Sequence, residues 1–274
     1  MILQSNIDSI TIIRILKERI GEVEARKVYG IITAKVNLIV GLPLALNGAI
    51  SISLIPEIAK NMIKRDYPRL ERNINLSIFI TLMIAVPTMV FTFQYANEII
   101  RFLYPNAPKG AKLLKLASFT IVFSCVTQNI SGILQGIGNS RTHLYAVIIG
   151  MLLKLFFNIL LISNARILER GAMISTVITD IFIFLVMYYQ LKKSFSISFS
   201  IGGKFIKMFL LSNIGIFITE TVCLRIPLGV RRQFILEAMT FILVFLLLAS
   251  PLIKGQWKAI KKHKNHKSLE RLDS

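Results

Sequence analysis

Acidic residues are scarce in this chain of 274 residues: Asp and Glu number 14 against 33 Lys and Arg, for a formal net charge of +19. A charge of that sign often marks a nucleic-acid binder, but such proteins gather their basic residues on one face of a soluble fold. Here they lie between long apolar runs and in the C-terminal tail, as in loops that meet anionic headgroups. No nucleic-acid partner is expected. Cysteine is almost absent: Cys125 and Cys223 sit inside apolar runs, spaced for neither a zinc pattern nor a disulfide framework, and read as buried thiols. His143, His263 and His266 have no Asp, Glu or Cys cluster beside them, so no metal site is expected. No Ser-His-Asp or Cys-His arrangement can be assembled. GILQGIGNS, with Gly132, Gly136 and Gly138, is no phosphate loop, because no strand precedes it and no Gly-Lys-Ser/Thr follows. The chain reads as neither an enzyme nor an ATP-driven pump, and no cofactor is expected.

Apolar residues are abundant, at 54% of the chain, above the roughly 45–50% of soluble domains. A bilayer core of about 30 Å takes about 20 residues of apolar helix. Segments near 34–58, 74–96, 113–134, 142–163, 171–190, 204–224 and 234–253 meet that length. The expected fold is an all-α integral membrane protein, a bundle of about seven transmembrane helices plus a partial N-terminal helix. Connections are placed at 60–73, 104–112, 138–142, 164–170 and 225–233. The basic tail after Lys254, with Trp257 at the interface, is expected on the cytoplasmic side, and counting back puts 60–73 there too.

Residues 1–30 differ. Ile7, Ile10, Ile13 and Leu16 form a helical stripe, but Asp8, Arg14, Lys17, Glu18 and Arg19 interrupt it. It is no secretory signal, since charge breaks the apolar region and no small-residue cleavage site follows. It reads as the end of a membrane helix whose beginning is absent, so a partial protein is the expectation. The expected division is a partial helix and charged loop at 1–30, a transmembrane bundle at 31–200, a final helix pair at 201–253, and a basic tail at 254–274.

Ionisable groups at membrane depth cost several kcal/mol, so each is a functional candidate. Lys35, Lys154, Asp180 and Glu220 are the ones present. Lys154 and Asp180 fall near the middle of successive spans, where opposite charges meet at similar depth. They serve either as an ion pair stitching two helices or as groups in a wet cavity, Asp180 then acting as a coupling group. Lys35 and Glu220 lie nearer their span ends and can snorkel. In LPLALNGAISISLIPEIAK, Pro43 removes a backbone hydrogen bond, as Pro87 does in the next span. Both are read as helix kinks, tolerated where neighbours or cavity water satisfy the freed carbonyls. Gly48, Ala49, Ser51 and Ser53 permit close helix approach, as does the Gly132-xxx-Gly136 spacing. Asn129-Ile130-Ser131 matches a glycosylation pattern but lies within a span and is discounted. A kinked helix with small polar groups suits the wall of a polar substrate path.

The order LPLALNGAISISLIPEIAK, a basic loop, a Pro-bearing span, ILQGIGN, IIGMLLKLFFNILLI and GAMISTVITD resembles the second half of the polysaccharide exporters among the multidrug and oligosaccharidyl-lipid flippases. It is most similar to the stage V sporulation protein B group. The resemblance runs from about Ile7 to Ile253. It implies one lobe of a two-lobe, roughly fourteen-helix transporter plus its final helix pair. Its implied cargo is an undecaprenyl-linked glycan or peptidoglycan precursor, including that of the spore cortex, moved across the cell membrane. Arg14, Lys35, Asn37, Asn47 and Lys154 are the substrate-binding candidates. A related branch has Arg where this chain has Leu38, and Lys35 lies one turn earlier. Membrane lipids and a separate N-terminal lobe or second copy are the implied partners. Two other readings stand beside this one: cation-coupled multidrug efflux through Asp180, and a non-transporting membrane scaffold or inactive fragment.

Overall fold

The computed structural model describes residues 2–139, 141–163, 168–194, 201–223 and 230–270, with side chains described at 11–139, 141–163, 168–194, 201–223 and 231–255. Helices α1 (Ile2–Ile20) and α2 (Glu22–Ile31) lead through a π-helical turn (Ile32–Val36) into α3 (Asn37–Ile63). Then come α4 (Tyr67–Gln94), α5 (Ala96–Leu103), α6 (Ala111–Gly136), α7 (Arg141–Ile162), α8 (Glu169–Ser194), α9 (Ile201–Cys223) and α10 (Val230–Glu270). Among the described residues, seven helices are long and apolar enough to cross a membrane.

The N-terminal segment departs from the expected charged loop, because residues 22–31 are helical. Their charges pair along the helix: Arg26 with Glu22 at 2.6 Å and Lys27 with Glu24 at 2.7 Å. Pairs at these spacings support a helix. Only Gly21, at φ 82°, separates α1 from α2. Of the stripe on α1, Leu16 is buried and Ile13 partly so, while the Ile7 and Ile10 side chains fall outside the described residues.

The expected 60–73 connection is also shorter. Asp66 N donates to Asn61 O at 3.0 Å and Arg65 N to Met62 O at 3.1 Å, with Arg65 left-handed at φ 53°. That paired pattern closes the α3 C-terminus in a Schellman turn. The Asp66 carboxylate then accepts from Arg69 N at 3.2 Å, capping α4. The α6 end repeats the turn around Gly138, where Asn139 N reaches Leu134 O at 2.8 Å. The 164–167 and 225–229 parts of the expected connections lie outside the described residues, as do residue 224 of the expected 204–224 span, residues 271–274 of the basic tail and the side chains of Trp257, His263 and His266.

The chain divides into two compact units, Met1–Phe205 and Ile206–Ser274. In the first, α6 is the central helix, packed on α3, α4 and α8, while α7 packs on α8 and α1 on α7. Glycines set two of these seams. A Cβ on Gly136 would meet Ile58 Cγ2 at 3.0 Å and Ile55 O at 3.2 Å, so α6 lies backbone-close to α3. On α7 the buried residues are Ala146, Gly150, Lys154, Asn158 and Ile162, one stripe at a spacing of four. Gly171, Ser175, Thr179, Ile183, Met187 and Leu191 form a matching buried stripe on α8. Such i, i+4 rows lie on one helix face. In the second unit, Gly215 admits Phe241, whose ring stacks on Phe245 at 6.2 Å between centroids.

Candidate functional site

Helix α6 carries polar residues in two directions. Ser124, Thr127, Gln128, Ser131 and Gln135 recur at helical spacing along one side, and Asn129 points the other way. The first row lines a cavity of about 350 Å³ between α3, α6, α7 and α8. Leu44, Gly48, Ser51, Ile52 and Ile55 of α3 form a second wall; His143 and Val147 of α7 and Asp180 and Ile183 of α8 complete it. Ile52 is exposed as well as lining, so the cavity is open on the α3 side. From Ser124 to Gln135 it follows about 16 Å of α6, at a rise of about 1.5 Å per residue.

Its polar groups are partly occupied with one another. The Ser124 hydroxyl donates to Asp180 Oδ2 at 2.9 Å, and Gln135 Nε2 donates to Ser131 Oγ at 3.1 Å. Gln128 Oε1 accepts from Asn47 Nδ2 at 2.9 Å. Thr127 Oγ1 and His143 Nδ1 are buried without a hydrogen-bond partner among the described residues. Gly48 leaves room for the Gln128 amide, whose Nε2 would lie 2.9 Å from a Cβ placed there.

Behind this wall lies a closed polar network. Asn47, fully buried, donates to Cys125 O at 2.9 Å as well as to Gln128, and accepts from Thr81 Oγ1 at 2.8 Å. Asn129 donates to Ser77 Oγ at 2.6 Å and Thr81 Oγ1 at 2.7 Å, and Ser77 returns a bond to Asn129 Oδ1 at 2.8 Å. These bonds join α3, α4 and α6. Satisfied networks of this kind rigidify a core and specify its geometry. Asn129 of the glycosylation pattern is thus an interior residue.

The sequence-selected residues scatter around this site. Asp180 lines the cavity. Asn47 stands one layer behind it. Lys154, 3% exposed, belongs to the α7 stripe against α8, beside Asn158, which accepts from Ser175 Oγ. Lys35 lies in the π-turn, where its ammonium donates to Ala107 O and, at 3.5 Å, to Lys109 O. It also sits 4.9 Å over the Tyr104 ring, and Tyr104 Oη donates to Ala34 O at 3.0 Å. Lys35 therefore holds the connection between α5 and α6. Arg14 and Asn37 are exposed on α1 and α3. Pro43 and Pro87 are buried within α3 and α4, which continue through them. Sequence reasoning passed over the α6 row because its members are uncharged; the recurrence of Ser124, Thr127, Gln128, Ser131 and Gln135 in an apolar span was the available signal. Among the described residues no His, Cys, Asp and Glu converge as three or more metal ligands.

The model of the MatE family matches residues 24–160, half of the chain. The chain belongs to the MatE family. With seven apolar helices of spanning length among the described residues, this MatE protein is a multi-pass membrane protein. It is 28% identical over 209 residues to the lipid II flippase MurJ of Bacillus subtilis strain 168, covering 73% of this chain and 37% of that protein. It is 26% identical over 138 residues to the uncharacterized membrane protein MJ1375 of Methanocaldococcus jannaschii, covering 50% of this chain and 31% of that one. A solved structure of a lipid II flippase MurJ in an inward closed conformation superposes with a TM-score of 0.73 at 20% identity, over 92% of this chain and 52% of that one. The all-helical membrane fold is thereby shared. The chain spans well under half the length of the curated relatives it matches and about half of the solved one. Those relatives are named as flippases or membrane proteins, not as enzymes.

Proposed function

We propose that this MatE protein acts as one lobe of a flippase for lipid-linked glycan precursors, moving them by alternating access without covalent chemistry. The observation that carries this reading is the half-open polar cavity inside a bundle of membrane helices. Buried polar surface at such depth is costly and marks a substrate path. The similarity to a lipid II flippase supports a polyprenyl-diphosphate glycan as cargo, and the sequence resemblance to the sporulation group favours a spore-cortex precursor among such cargoes. Alternating access needs two lobes to rock about a shared site. The opposing lobe is an N-terminal lobe, on this chain or another, or a second copy of this chain. Exposed Arg14 and Asn37 are assigned to the diphosphate, and Lys154 to the integrity of the α7–α8 wall on which translocation depends. The segment 60–73 and the tail are placed on the cytoplasmic side.

The test is translocation of a fluorescent lipid-linked glycan precursor in vesicles holding the full chain, with and without a supplied N-terminal lobe. Protein-dependent appearance of the precursor in the opposite leaflet is expected, with loss in Lys154→Gln at unchanged membrane insertion. No translocation under either condition would overturn the reading. A second reading, cation-coupled efflux, draws on one observation: Asp180 stands in a cavity wall that has no Lys or Arg among the described lining residues. Transport of a cationic dye, abolished by Asp180→Asn, would favour it.

A further inference from the structure

We infer that the cavity between α3, α6, α7 and α8 is a subsite for the uncharged sugar of the lipid-linked substrate, separate from the place that holds the diphosphate. This inference rests on the flippase reading and adds the ligand class of the cavity.

The chemistry of the wall makes the distinction. A diphosphate is held by Arg or Lys in charge-assisted bonds, and neither residue lines the cavity among the described residues. The one acid there, Asp180, offers carboxylate oxygens that accept from hydroxyls, as Oδ2 does from Ser124. A sugar presents hydroxyl and amide groups in many directions, each needing a donor or an acceptor. The α6 row supplies Thr127, Gln128, Ser131 and Gln135 one turn after another, groups that both donate and accept. Ile52, Ile55, Val147 and Ile183 add apolar surface for a ring face or an acetyl methyl. No Phe, Tyr or Trp lines the wall among the described residues, so the ring face that favours hydrophobic cations is missing.

Two atoms point to a ligand independently of composition. Thr127 Oγ1 and His143 Nδ1, on two lining residues, are shielded from solvent with no hydrogen-bond partner among the described residues, and Thr127 is 9% exposed. Buried polar atoms are ordinarily paired, and an orphan calls for an explanation. A ligand that turns the Thr127 hydroxyl and the His143 ring toward the cavity pairs both atoms with its own hydroxyls. The volume of about 350 Å³ lies at the lower end of small-molecule sites, about 300–1,000 Å³. It suits a sugar unit rather than a whole precursor headgroup.

The experiment uses the full chain in lipid nanodiscs and saturation-transfer NMR with N,N′-diacetylchitobiose as the neutral amino-sugar probe. Inorganic pyrophosphate and tetraphenylphosphonium serve as competitors. Binding of the disaccharide is expected, with no displacement by either competitor. Thr127→Val removes only an unpartnered hydroxyl, so the thermal midpoint should hold or rise while the disaccharide binds roughly threefold to tenfold more weakly, the range of one lost hydrogen bond. His143→Phe should weaken it similarly. A purely structural cavity would show neither loss. Absence of disaccharide binding, insensitivity to both substitutions, or displacement by pyrophosphate or by the cation would each overturn the subsite. Intact disaccharide binding in a chain that translocates nothing would sink the transport reading and leave the subsite standing.

Discussion

Asn47 Nδ2 donates to Gln128 Oε1 at 2.9 Å, tying a fully buried residue of α3 to a side chain in the cavity wall. Asn47 is therefore a positioning residue, and its amide also spans to Cys125 O and Thr81. Asn47→Ala strands those partners in the interior and should cost about 1–3 kcal/mol. Thermal unfolding in detergent measures the loss. An unchanged midpoint would mean that the network contributes nothing to the fold.

The α3–α6 seam gives a paired test at neighbouring glycines. A Cβ on Gly132 would come no nearer than 3.5 Å to Ser51 O, whereas one on Gly136 meets Ile58 and Ile55 O at 3.0 and 3.2 Å. Gly132→Ala should be neutral or stabilising by about 0.5–1 kcal/mol, the usual helix-interior difference. Gly136→Val should destabilise by about 1–3 kcal/mol through overpacking. Equal midpoints for the two variants would refute the seam.

Lys35 holds the carbonyls of Ala107 and Lys109 from 72 and 74 residues away in sequence. Lys35→Gln should free the Tyr104–Gly110 connection without disturbing α6. Hydrogen exchange read by mass spectrometry is expected to accelerate there by roughly threefold to tenfold, the range of one lost net hydrogen bond. Exchange unchanged at 104–110 would remove the latch role and return Lys35 to the list of substrate contacts.

Arg65 occupies a left-handed position, φ 53°, at the α3–α4 turn. A side chain there costs about 1–2 kcal/mol that glycine avoids, partly offset by the greater entropy glycine loses. Arg65→Gly should raise stability by about 0.5–1 kcal/mol, and Arg65→Val should lower it. Reversal of that order in thermal melts would show that the turn is not held as described.

Some of this was written in the sequence. Spans are legible because a bilayer demands about 20 apolar residues at a stretch, and Gly132 and Gly136 announce a helix seam by their spacing alone. The candidate site was less so. Charge at membrane depth drew attention to Lys35, Lys154 and Asp180, yet of these only Asp180 lines the cavity among the described residues. Asn47 and Asn129 are both asparagines in apolar spans, and nothing local says that both turn inward to Thr81.

What the sequence by itself determined is the class of molecule: runs too apolar for water, punctuated by basic turns, with helical order set by local hydrogen bonding. What only the tertiary structure decided is which polar groups face one another. Direction on a helix is known from spacing, but a partner on another helix depends on how neighbours rotate and approach. The stripe Gly150, Lys154 and Asn158 meets α8, and the row Ser124 to Gln135 meets a cavity, for that reason alone. Close packing at the glycines fixes those rotations, because side chains absent at Gly136 and Gly150 let one helix seat on the next in a single register.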